Sequence, residues 1–99
     1  MASTSPDTSD EGLAHAAECL RTLAHPLRLR MIQLLLQDDY PVGALAEACD
    51  VPSHIASEHL GKMRDRRLLV AERRGRQTFY HVAEPYLGSI MACIQKRFD

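Results

Sequence analysis

No stretch of this sequence is apolar for long enough to cross a bilayer. The longest run covers residues 31–36 and is interrupted by Gln33, against the ~20 residues that a spanning helix needs. The first 11 residues are rich in Ser, Thr and Asp and lack a basic n-region, so they do not read as a secretory signal. Cysteine is scarce: Cys19, Cys49 and Cys93 are odd in number, widely spaced and form no Cys-x-x-Cys pair. That excludes a disulfide framework and a zinc ribbon. Together these absences point to a cytoplasmic protein with reduced thiols and no membrane partner. Also missing are a glycine-rich phosphate loop, carboxylates paired at a catalytic spacing and a cluster of metal ligands, so an enzyme is not expected. His15 and Cys19 could be cast as base and nucleophile, but on an exposed helical face they would lack a pocket.

What is present fits one small globular domain of 99 residues. A chain this short buries little surface by itself, so a homodimer is plausible on size alone. The net charge of −1 hides a division. Residues 1–59 carry three basic and nine acidic side chains, whereas residues 60–99 carry nine basic and four acidic ones. A segregated basic half is the footprint of a face that meets a polyanion.

Periodicity supplies the elements. Residues 1–11 read as a flexible polar tail and residues 12–99 as the folded domain. Leu13, Ala16, Ala17, Leu20, Leu23 and Ala24 form the stripe of a first helix beginning near Glu11. His25-Pro26 ends it, because the residue before proline is pushed out of the α region, and Pro26 opens a second helix. Residues 38–41 make a turn. Short helices follow over 41–48 and 52–66, and two helices joined by a short turn form a helix-turn-helix unit. The period then changes to two: residues 68–73 and 77–82 read as strands around Gly75, which can supply the positive φ of a tight hairpin. A last helix over 84–98 carries Leu87, Ile90, Met91, Ile94 and Phe98. The fold class is α+β, mainly α with a β-hairpin wing, in the order α-α-α-α-β-β-α.

A helix-turn-helix presents its second helix to the major groove of double-stranded DNA. The outward positions here are Ser53, His54, Ser57, Glu58 and Lys62. Ser57 can donate to or accept from several bases, and Glu58 can accept from a cytosine amino group; alternatively these residues form a solvated helix face. The hairpin places Arg73, Arg74 and Arg76 at its tip with Gln77 beside them. Guanidiniums on a protruding turn suit phosphate contact or minor-groove insertion, although charges there also protect an edge from aggregation. A winged-helix module that binds another protein is the competing reading, since the acidic half could mimic nucleic acid.

Three segments carry a resemblance. Residues 23–32, LAHPLRLRMI, resemble a helix-opening stretch LADPTRLRIL; Ser57-Glu58-His59-Leu60 resembles a recognition-helix core S-x-H-L; and Gly75-Arg76-Gln77-Thr78-Phe79-Tyr80 resembles a wing G-R-x-x-x-Y. In this order and spacing they resemble the ArsR/SmtB repressors of bacteria, over about residues 12–98. The resemblance implies a winged-helix homodimer joined by its first and last helices. Such a dimer would bind an operator and leave it when a metal ion, an oxidant or another signal arrives. Ser57 and its neighbours would read bases and Gly75-Arg76 would form the wing contact.

There are departures. Pro52 stands where the family often has Ser at the start of the recognition helix, and Arg67 replaces a Gly at its end. Arginine accepts the left-handed conformation poorly, which leaves the shape of that helix end open. The Cys-x-Cys of one metal-sensing branch is replaced by Pro41-Val42-Gly43. The Asp-x-His and later His pair of another branch are missing from the last helix. What remains is Cys19, Cys93 and His15, which lies four residues before Cys19 on the same helical face. They are candidates for a soft metal ion or for thiol redox chemistry, or else ordinary packing residues. Cys49 reads as structural. The expected dimer interface comprises Leu13, Leu20, Leu87, Ile90, Met91 and Ile94.

Overall fold

The computed structural model describes residues 7–99. Five helices and two strands follow the expected order: α1 Asp10–Leu23, α2 Pro26–Leu35, α3 Val42–Ala48, α4 Ser53–Asp65, β1 Leu69–Arg74, β2 Gln77–Val82 and α5 Leu87–Phe98. Residues 1–6 of the expected tail lie outside the described residues, and Asp10 and Glu11 at its end belong to α1.

Local chemistry sets the boundaries. The Ser9 hydroxyl accepts from the Gly12 amide at 3.1 Å and caps α1, with Asp10 and Glu11 in the first turn complementing the helix dipole. His25 takes extended backbone ahead of Pro26, and its Nδ1 accepts from the Leu27 amide at 3.1 Å, capping α2. Prolines 41 and 52 stand at the N-caps of α3 and α4 and bring no side-chain cap.

Both helices of the helix-turn-helix end in the same way. After α3, Asp50 has φ 57° and Val51 donates to the Ala46 carbonyl; after α4, Arg67 has φ 61° and Leu68 donates to the Met63 carbonyl. These are Schellman ends, in which a left-handed residue satisfies the last carbonyls. Arg67 therefore takes the backbone conformation that glycine adopts most easily, and the helix end keeps its form without one.

The core gathers Leu23 of α1, Met31 and Ile32 of α2, Leu45 and Ala46 of α3, Ala56, Leu60 and Met63 of α4, Leu68 and Leu69, Tyr80 of β2, and Leu87 and Met91 of α5. β1 and β2 pair antiparallel from Leu69↔Val82 to Arg74↔Gln77, leaving Gly75-Arg76 as a two-residue turn with Gly75 at φ 60°. Positive φ at the first central residue but not the second is the pattern of a II′ turn. A single bridge, Pro41↔Phe79, ties the loop before α3 to β2. Within the hairpin only Leu69 and Tyr80, near its base, are buried, so its distal half projects from the body.

Candidate nucleic-acid interface

Ala56, Leu60 and Met63 anchor one side of α4 in the core. The opposite side carries Ser53, His54, Ser57, Glu58 and Lys62, all exposed. Each is a donor, an acceptor or both. No hydrogen bond or ion pair within the described residues occupies their side chains. The helix thus presents an unpartnered polar row on a rigid support.

The flank of α4 is different. His59 is half-buried, and its Nδ1 accepts from the Arg28 Nε–H at 3.0 Å; Arg28 also donates to the Thr22 carbonyl at 2.9 Å. The His25 ring lies 4.7 Å from the His59 ring, centroid to centroid. Burial lowers the His59 pKa first, and the neighbouring Arg28, His25 and Lys62 lower it further, against a small opposing effect of Glu58. A neutral His59 is the form that can accept from Arg28. This joint links the end of α1, the start of α2 and the flank of α4. His59 belongs to a sequence motif, but its partner Arg28 lies 31 residues away, where no local pattern signals it.

The wing does not hold three equivalent arginines. Arg73 donates to the Gly75 carbonyl at 2.9 Å, inside the turn. Arg74 is drawn back from the tip: one guanidinium nitrogen lies 2.9 Å from Glu72 Oε1 and 3.2 Å from Asp39 Oδ2, and the guanidinium stacks over the Phe79 ring at 4.1 Å. His81 Nε2 meets the same Glu72 oxygen at 2.6 Å, and its Nδ1 lies 3.7 Å from Asp39. Hydrogen bonds from Arg74 and then His81 hold the Glu72 carboxyl below its usual range, and Glu72 and Asp39 raise the Arg74 pKa. Arg76 and Gln77 are exposed. Arg76 sits in the turn with no ion-pair partner among the described residues. No local sequence pattern signals the contact between residues 39 and 74, or the roles of Glu72 and His81 beside it.

α1 and α5 flank an open groove of about 430 Å³, whose lining includes His15, Cys19, Leu20, Glu84, Tyr86 and Ile90. Leu13 and Leu20 are each 56% exposed, and Ile90 and Ile94 are half-buried. Leu87 and Met91, expected at a subunit interface, are 1% and 5% exposed instead, because α5 packs that side against the protomer's own core. Cys19 packs partly against the core beside the groove, whereas Cys93 is exposed on α5 and does not line the groove. Burial raises the pKa of Cys49, with Arg30 opposing; that thiol is a packing group. Among the described residues no three His, Cys, Asp or Glu side chains gather in a group suited to a metal ion, and no helix is long and apolar enough to cross a membrane.

No family model matches the chain. An HTH-type transcriptional regulator of Mycobacterium tuberculosis, itself uncharacterised, is 35% identical over 81 residues, covering 81% of this chain and 71% of the relative. The SmtB transcriptional repressor of the same species is 33% identical over 81 residues, covering 82% of this chain and 60% of the relative. The chain belongs to the ArsR/SmtB family of winged helix-turn-helix transcriptional regulators. Solved structures agree with this ArsR/SmtB assignment. NolR of Sinorhizobium fredii superposes with a TM-score of 0.82 at 25% identity, over 96% of this chain and 97% of that one. A homodimeric winged helix-turn-helix DNA-binding domain of Mycobacterium bovis superposes with a TM-score of 0.79 at 29% identity, over 96% of this chain and 87% of that one. ArsR/SmtB relatives regulate transcription and are not enzymes.

Proposed function

We propose that this ArsR/SmtB protein is a homodimeric repressor that reads a double-stranded DNA operator with α4, touches the adjacent backbone with Arg76, and leaves when a signal arrives. The observation that carries the reading is the outer row of α4. Ser53, His54, Ser57, Glu58 and Lys62 are exposed and unpartnered on a helix whose other side is fully buried. Side chains at that spacing on a fixed helix can form hydrogen bonds to base edges without first giving up internal bonds. Dimerisation through α1 and α5 is supported by the exposed Leu13 and Leu20 beside the groove. Cys19, a soft thiol, and His15, an imidazole donor, line that groove, and a metal ion or an oxidant would act there.

The test uses purified protein and a random-sequence duplex at 50 and 200 mM salt. Six or more phosphate contacts from a dimer should lower affinity about a thousandfold across that range. Leu20→Glu adds a charge to an exposed position, so the variant should stay folded, sediment as a monomer and bind the duplex far more weakly. Salt-independent binding would favour a protein-interaction module, and an intact Leu20→Glu dimer would remove α1 from the interface.

A further inference from the structure

We propose that Asp39 is a positioning residue for the wing, acting through Arg74, and that Arg74 is a clamp and not a phosphate ligand. The inference rests on the DNA-binding reading above. The hairpin needs such a device because its distal half has no core: beyond Leu69 and Tyr80 its side chains are exposed or half-buried. A two-stranded ribbon is marginal by itself, so the direction of its tip depends on surface contacts. Of the groups around Arg74, Glu72 sits on the same strand and Phe79 and His81 sit on the partner strand. Contacts to these three travel with the wing and cannot orient it. Asp39 alone comes from outside, in the loop between α2 and α3, next to the helix-turn-helix. The 3.2 Å contact from Arg74 to Asp39, with the 3.7 Å approach of His81 Nδ1 to the same carboxylate, is therefore the side-chain link between the wing and the loop before the helix-turn-helix. The Pro41↔Phe79 bridge brings that loop against β2 and holds Phe79 under the guanidinium.

Charge supports the same conclusion. Two carboxylates share one guanidinium, so the group is negative while His81 is neutral. Moving Arg74 onto a phosphate would leave Asp39 and Glu72 uncompensated beside a polyanion. Arg76 meets no such competition. Exposed ion pairs add little to stability, so the network's role lies in geometry.

The experiment turns on a sign. Asp39→Asn removes a negative charge next to the DNA. If Asp39 only repels phosphate or withholds Arg74 from it, the variant binds more tightly. If Asp39 positions the wing, it binds up to about fivefold more weakly, the upper end for one exposed ion pair, and stays folded. The probe is a 30-base-pair duplex selected by the wild-type protein from a random library. The swapped double variant Asp39→Arg/Arg74→Asp rebuilds the link with the charges exchanged and should recover binding lost in Arg74→Asp, whereas a direct phosphate role for Arg74 forbids recovery. A wild-type protein that selects no duplex sinks the functional reading and this inference together. A wild-type protein that binds, with Asp39→Asn equal or tighter or the swap unrescued, overturns the inference alone.

Discussion

Helix α4 and the wing both face outward, yet they are held in opposite ways. α4 is fixed from within: Ala56, Leu60 and Met63 are completely buried, and its outer side chains remain unpartnered. The wing has little buried surface and is held by surface contacts: within itself by Arg73 on the turn carbonyl and by Arg74 on Glu72 and Phe79, and from without by Asp39. A packed element leaves its polar side chains free for a partner. A poorly packed one uses several of them to hold its own shape. Counting arginines on a hairpin thus overstates how many can meet DNA, while counting polar residues on the outer face of a buried helix does not.

The largest expected effect separates the two regions by the kind of binding lost. Ser57→Ala should cost about 1–3 kcal/mol against the selected duplex, the range for one good base contact, and leave random-sequence binding nearly unchanged. Arg76→Ala should weaken binding to both duplexes alike and reduce the salt slope by about one. Titrations of each variant on both duplexes at several salt concentrations give the answer. Equal losses on the two duplexes for Ser57→Ala would mean that α4 contacts backbone only, and the contrast with the wing would fail.

A second effect sharpens the picture of how α4 is held. Its flank contains a titratable joint, His59 on Arg28. Burial and three neighbouring basic groups lower the His59 pKa in the folded protein. The unfolded chain therefore binds the proton more readily, and stability falls as pH drops through the ordinary histidine value near 6.5. Urea midpoints should be lower at pH 5.5 than at pH 7.5. His59→Asn, which can still accept from Arg28 but does not titrate, should flatten the difference. If that variant loses as much stability on acidification as wild type, the acid sensitivity resides elsewhere. The wing has no counterpart: its network is exposed, and loss of any one pair should barely move the midpoint.

Much of this arrangement was legible in the sequence, for identifiable reasons. Pro26, Pro41, Pro52 and Gly75 punctuate the chain, and each marks a helix start or the hairpin turn within about one residue. The outward row of α4 followed from helical spacing. Three features were not legible. The α5 stripe identified an amphipathic helix but not which of its residues faced inward, so Leu87 and Met91 were grouped with Ile90 and Ile94 although they belong to the protomer's core. The tie between Arg74 and Asp39 spans 35 residues, and no local pattern encodes it. Arg67 takes a left-handed position against its propensity, directly ahead of the buried Leu68 that leads into β1.

Arg67 is also the joint between the two regions compared, and it carries the smallest expected effect. Its amide donates to the Arg64 carbonyl at 2.8 Å, and the Leu68 amide reaches the Met63 carbonyl at 3.0 Å. The backbone bonds of this end need φ near +60°, which costs a non-glycine residue about 1–2 kcal/mol. Glycine would relieve that strain while making the unfolded chain more flexible, an opposing effect of about 0.4–1 kcal/mol. The balance favours Arg67→Gly by about 0–1.6 kcal/mol, read as a higher urea midpoint with an unchanged denaturant slope. Since Arg67 is exposed, the substitution should remove at most one phosphate contact and leave the preference for the selected duplex intact. A lower midpoint would show that the arginine side chain contributes more to the α4–β1 joint than its backbone conformation costs. A lost preference would show that the joint, and not only the Asp39 link, sets how α4 and the wing share the duplex.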